Sequence, residues 1–158
     1  MGNTEIPCAS NLLWFLSQFK DEEQVVNVSI DDIMREFNID HKVANGLISD
    51  IANPMGMQFI EILGNDQYRL TESGLDEINF LNQFVRISSK RKVNPRNAVR
   101  ISVKLREWLK GVDPQTVSKD DAKFIARLNG KKSWTDEEIE AAYNVSKQCK
   151  FRFKKKTK

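Results

Sequence analysis

Histidine is almost missing from this chain. His41 is the only one in 158 residues, and cysteine is limited to Cys8 and Cys149. A structural zinc site takes four ligands, so three soft ligands scattered along the chain fall short of one. The two cysteines lie near opposite ends without a CxxC partner and read as reduced and structural or incidental. No apolar run approaches the roughly 20 residues that span a bilayer. Residues 1–10 lack a basic n-region, and Ile6 stands where a myristoylation signal wants Ser or Thr; a cytoplasmic location is therefore expected, nucleoid-associated in a bacterial or phage setting. Neither G-x-x-x-x-G-K-[ST] nor G-x-G-x-x-G occurs, which removes the common phosphate-loop and dinucleotide signatures. One histidine restricts general acid–base chemistry, and Cys8 with His41 has no third group to orient it. The acidic groups Asp31-Asp32, Asp120-Asp121 and Asp136-Glu137-Glu138 could hold magnesium for a nuclease. All three fall in first turns of predicted helices, where the helix dipole favours carboxylates. No enzyme and no cofactor is expected.

What the chain does have is charge, divided unevenly. Residues 1–85 hold four basic residues (Lys20, Arg35, Lys42, Arg69) against fourteen acidic ones, a net of −10. Residues 86–158 hold twenty-one basic against eight acidic, a net of +13. Such asymmetry suggests two regions of different task, the basic one facing a polyanion or an acidic partner. A membrane surface fits less well, because the basic half has no long amphipathic stripe.

Periodicity predicts the elements. Leu12, Leu13, Phe15, Leu16 and Phe19 recur at helical spacing over 10–19, with Ser10 or Asn11 as cap. Residues 24–29 read as a short β-branched strand. Ser29 caps a second helix with Ile30, Ile33, Met34 and Phe37 inward. Asp40 caps a third with Val43, Leu47, Ile48 and Ile51 inward, ended by Asn53-Pro54-Met55-Gly56. Strands at 57–63 and 67–71 flank the hairpin signal Gly64-Asn65-Asp66. Thr71 or Ser73 opens a helix through Leu75, Ile78, Leu81 and Phe84, the candidate dimer contact. Residues 88–95 read as a basic linker closed by proline. Further helices follow at about 97–110, at 120–128 behind Ser118, and after Thr135, where Thr135-Asp136-Glu137-Glu138 is a capping-box match. The expected division is residues 1–86, a linker over 87–96, a basic helical region over 97–149 and a basic tail over 150–158. Trp108 and Trp134 read as core.

The segment Tyr68-Arg69-Leu70-Thr71-Glu72-Ser73-Gly74 fits a Y-x-L-T-x-x-G pattern. It resembles the second wing strand and following helix of winged helix-turn-helix regulators of the MarR and PadR kinds, and the order of elements over about 10–84 agrees. The resemblance implies a mainly α fold with a small β-hairpin wing, followed here by a small basic helical region. It also implies that the third helix enters the major groove and reads bases. The outward residues would be His41, Lys42, Asn45 and Ser49, with Asn53 beside them; Asn and Ser are base-reading side chains. Asn65, Asp66 and Gln67 would form the wing tip, and Arg69 would reach a phosphate. The plainer reading of His41, Asn45 and Ser49 is ordinary polarity on a helix surface.

The acidic balance opposes phosphate attraction. Either the carboxylates face away from DNA while the basic half supplies phosphate contacts, or the first region docks a protein. In the basic half, Lys90-Arg91-Lys92 precedes Arg96, Arg100 and Lys104, spaced four apart along one helix face, with Arg106 and Lys110 on a neighbouring face. A row of cations suits a phosphate backbone and positions a protein without specifying sequence. Phe151 and Phe153 in the tail could stack on single-stranded bases or dock the tail on the body. The leading expectation is a sequence-specific DNA-binding regulator, a dimeric repressor on double-stranded DNA. The rivals are a protein-docking adaptor in a nucleic-acid complex and a non-specific single-strand or RNA binder.

Overall fold

A computed structural model describes residues 8–56, 58–131 and 133–148. The expectations placed on Cys149, Phe151, Phe153 and the basic tail lie outside the described residues. Among those described, the protein is mainly helical, with seven α-helices and one three-stranded antiparallel sheet. It divides into two compact units, residues 1–81 and 82–158. Residues 82–85 carry no charge, so this boundary leaves the −10 and +13 of the two regions unchanged.

The first unit contains α1 (Ala9–Ser17), β1 (Val25–Asn27), α2 (Ile30–Phe37), α3 (His41–Ala52), β2 (Ile60–Gly64) and β3 (Gln67–Leu70). It also holds the first turns of α4 (Glu72–Ser89). The strand order is β1-β3-β2, with Val26 opposite Tyr68 and Ile60 opposite Leu70. Capping chemistry sets the helix starts. Ser29 Oγ accepts from the Asp32 N–H at 3.0 Å, and Asp40 Oδ1 accepts from the Val43 N–H at 2.9 Å. The core joins Leu12, Leu13 and Leu16 of α1 to Ile33 of α2, to Leu47, Ile48 and Ile51 of α3, and to the inner face of the sheet. Each such side chain contributes about 1.5–3 kcal/mol by leaving water.

Two expectations for α1 change. It starts at Ala9 behind Cys8 with no side-chain cap, and Asn11 is buried rather than capping. Phe19 is 51% exposed and not part of the core. The helix ends at Ser17, so the 3.6-residue repeat stops before reaching it, and its ring packs edge-to-face with that of Phe15, 5.1 Å between centroids.

The pattern at 68–74 has a packing reason. Tyr68 and Leu70 are buried. Thr71 Oγ1 accepts from the Gly74 N–H at 3.0 Å, and its hydroxyl donates to the Gln58 carbonyl at 2.5 Å. The Thr71 N–H donates to the Phe59 carbonyl at 3.0 Å, and the Phe59 N–H to the Ile51 carbonyl at 2.8 Å. These bonds draw the first turn of α4 onto the 58–59 backbone. A Cβ on Gly74 would collide with the Phe59 carbonyl oxygen and sit 3.0 Å from its carbon. Residues 58–59, expected as part of the strand, therefore bridge α3 and α4, and strand pairing begins at Ile60; Met57, the expected first residue of that strand, lies outside the described residues.

The second unit holds the end of α4, then α5 (Pro95–Gly111), a 3-10 turn (Pro114–Thr116), α6 (Lys119–Asn129) and α7 (Asp136–Gln148). Residues 87–89 are the last turn of α4 rather than linker, because Ile87 and Ser88 are buried. A tight turn follows, with Lys92 left-handed at φ 64° and the Val93 N–H on the Ser88 carbonyl. Asn94 then caps α5, and Pro95 sits at its first position, where a missing N–H costs nothing. Ser118 caps α6, and Thr135 with Glu138 makes the reciprocal box, at 3.1 and 2.9 Å. Trp134 is buried; Trp108 is half-buried. Ile78, Phe80, Leu81 and Phe84 of α4, the helix expected to make the dimer contact, are buried within one chain, while Leu75 and Val85 are half-buried.

Polar contacts tie α4 to α7. Arg86 donates two 3.1 Å bonds to the carboxylate of Asp136, and Gln83 donates to the same carboxylate and to the Trp134 carbonyl. Ser88 and Tyr143 hydroxyls bond to each other in the interior. The Arg86 guanidinium, then Gln83, hold the Asp136 carboxyl below the usual carboxylate range. The Lys131 ammonium, then the Thr135 N–H, do the same for Glu138. A depressed folded-state value stabilises above the ordinary carboxylate range near 4 and is lost as pH falls through the folded value. Melting temperatures between about pH 2 and 6 are expected to fall with acid, and less steeply in Asp136→Asn. An unchanged acid slope in that variant would show the pair to be idle.

Candidate nucleic-acid interface

Helix α3 buries Ala44, Leu47, Ile48 and Ile51. Helical spacing then sends His41, Lys42, Asn45, Gly46, Ser49 and Asp50 outward, and all are exposed. All four base-reading candidates of this helix therefore share one edge. Asn45 Nδ2 and His41 Nδ1 are hydrogen-bonded at 3.0 Å. Asn53 lies just past the helix, with its carboxamide oxygen taken by the Met55 N–H at 2.9 Å.

The edge differs from the rest of its unit in charge. It carries one cation, Lys42, and one anion, Asp50, while the carboxylate of Asp40 at its start is occupied by capping. Twelve of the fourteen acidic residues of the unit lie elsewhere in the sequence. Around Gly46, at the middle of the edge, no described atom other than those of its chain neighbours and its own helix backbone lies within 4 Å of where a Cβ would be. Glycine inside a helix costs about 1 kcal/mol relative to alanine, and none of the described residues crowds the position. Such a glycine suits close approach by an external surface.

The hairpin is more tied down than the sequence implies. Asp66, left-handed at φ 60°, accepts from the Ile30 N–H through its side chain and from the Val28 N–H through its carbonyl. Gln67 donates to Asn27 Oδ1 at 3.1 Å. Arg69 pairs with Glu61 across the strands at 3.7 Å. Asp21 lies near it too, its carboxyl held low by the Val25 and Glu23 N–H groups and, to a smaller extent, by Arg69. Asn65 is exposed. The third strand explains part of this: β1 lies beside β3, and its one polar residue, Asn27, engages Gln67 of the hairpin.

In the second unit Lys90, Lys92 and Arg96 are exposed. Arg91 is not free for a phosphate: it donates to Glu140 at 2.8 Å and lies 4.3 Å over the Tyr143 ring. Arg100, Lys104 and Arg106 are half-buried rather than an open row, and all three have partners within the chain. One of these contacts joins Arg106 Nε to the Ser102 carbonyl at 3.3 Å. The four-residue spacing fixes which residues share a face but not whether that face is covered.

A cationic row that the sequence reading missed lies on α6. Lys119, Lys123 and Arg127 are exposed and spaced four apart. The signal was the same as for α5, but the acidic first turn, Asp120 and Asp121, masked it. The first unit also has an open groove of about 490 Å³ lined by Phe15, Phe19, Asn27, Val28, Asp32, Arg35 and Glu36. Among the described residues no cluster of metal-ligating side chains occurs, and no helix is long and apolar enough to cross a membrane. Compared with family models, curated proteins and solved structures, the chain matches none.

Proposed function

We propose that this protein is a winged helix-turn-helix regulator that binds double-stranded DNA, with α3 in the major groove. His41, Lys42, Asn45 and Ser49 read base edges there, and exposed cations of the second unit hold phosphates. The observation that carries this reading is the outward edge of α3: polar, close to neutral, and open at Gly46 in an otherwise acidic unit. Asn pairs bidentately with adenine, and Ser donates or accepts. The helix order, the antiparallel hairpin and the Thr71–Gly74 lock support the same fold. The regulator acts as a repressor and as a homodimer, its two α3 helices meeting half-sites one DNA turn, about 34–36 Å, apart. The dimer contact lies outside the buried face of α4.

Selection of binding sites from random duplexes, followed by polarisation titrations of the full chain from about 50 to 200 mM salt, tests this. A preferred site and an affinity that falls steeply with salt are expected. Failure to bind any duplex at low salt would sink the proposal. Cutting the chain at 85–86 is a poor test, because α4 runs unbroken across that point.

A second reading, a protein-docking adaptor, draws on the groove beside α1 and α2. Phe19 is half-exposed there, and Asp32 and Glu36 stand on the rim with Arg35. Such a groove suits a peptide with an aromatic anchor and basic flanks. Under this reading, changes on the α3 edge leave binding untouched.

A further inference from the structure

The geometry points to α6, and not α5, as the helix that holds the DNA phosphate backbone; this rests on the duplex-binding reading above. Helix α6 buries Ile125 and Leu128, and Asp121, Ala122 and Phe124 are half-buried. Lys119, Lys123 and Arg127 stand exposed in one row, each about 6 Å further along the axis than the last. Ala126 and Gly130 lie on the same exposed side, small enough to let the helix approach a surface closely. Lys110, exposed at the end of α5, borders the same small groove as Ala122 and Ala126 and adds a fourth cation.

Opposing charge is limited. Asp120 is the exposed carboxylate of α6. Glu138 lies 3.9 Å from Arg127, but its main partner is Lys131 at 2.7 Å. Arg127 keeps 61% of its side chain exposed while its guanidinium rests 5.3 Å from the Phe124 ring centroid. That contact orders the guanidinium without neutralising it. Arg100, Lys104 and Arg106 of α5 differ in being half-buried with partners inside the chain, and Arg96, though exposed, has one too. Releasing them to reach a phosphate would cost those contacts, whereas the α6 row is already presented to solvent.

Each phosphate contact contributes about 0.9 to the slope of log affinity against log salt on duplex DNA. In the full chain, Lys119→Ala, Lys123→Ala and Arg127→Ala combined are expected to lower that slope by about 2 to 3. At about 0.1 M salt the affinity should fall at least tenfold. Any preferred base sequence should be unchanged, since the row positions and does not read. The conservative set Lys119→Arg, Lys123→Arg and Arg127→Lys keeps the charges and should restore the slope, which separates charge from folding. If wild-type protein binds no duplex, the DNA reading itself fails. If wild type binds and the alanine variant, shown folded by its melt, keeps the full slope, only the assignment of α6 fails.

Discussion

Replacing Gly74 with alanine is expected to lower stability by about 3 kcal/mol, at the upper end of what overpacking usually costs. That corresponds to a melting temperature lower by roughly 6–12 °C for a chain of this size. The added methyl would strike the Phe59 carbonyl oxygen and press on that residue's backbone. Backbone cannot rotate away as a long side chain can, and here it is held from several directions. The Phe59 carbonyl takes the Thr71 N–H, the Phe59 N–H is given to Ile51, and the Gln58 carbonyl takes the Thr71 hydroxyl. Relief of the clash therefore breaks bonds linking α3, β2 and α4. A melt by circular dichroism measures the change. A Gly74→Ala protein melting with wild type would show that the close approach is not maintained in solution.

Gly46→Glu should behave in the opposite way. The site is exposed with open space around it, and glutamate is a better helix former than glycine, so stability should rise by about 0.5 kcal/mol. The new carboxylate would stand at the centre of the edge formed by His41, Lys42, Asn45 and Ser49. Facing a phosphate-lined groove it would meet like charge, at a cost of several kcal/mol. Affinity for duplex is expected to fall on the order of 100-fold, equivalent to about 2.7 kcal/mol. Polarisation titration beside a melt separates the two effects. A stabilised protein with undiminished duplex binding would favour the adaptor reading, in which a partner seats beside α1 and α2.

These two glycines show what could be read from the chain. Gly74 sits in a local pattern whose logic is contained in a few residues, so sequence reading reached it, as it reached the caps at Ser29, Asp40, Ser118 and Thr135. The outward edge of α3 was equally legible, because burial of Leu47, Ile48 and Ile51 forces its neighbours out. What depends on distant packing was not legible. The exposure of Phe19 turns on where α1 stops. Arg91 looks like part of a basic run but lies over Tyr143 and on Glu140, residues some fifty positions away. The spacing of Arg96, Arg100 and Lys104 matches that of Lys119, Lys123 and Arg127, yet the first row is partly covered and the second is open. The run of α4 past residue 86 follows from burial of Ile87 and Ser88, which hydrophilic serines and lysines nearby concealed.

Having one histidine gives a direct probe, since His41 lies on the edge in question. Its ring-proton resonance can be followed by NMR while duplex DNA is added to the intact chain at low salt. A helix lying in the groove should shift or broaden that single signal in step with the rise in polarisation, and added salt should return it to its starting position. If duplex binds by polarisation and the His41 resonance stays where it was throughout, α3 does not face DNA.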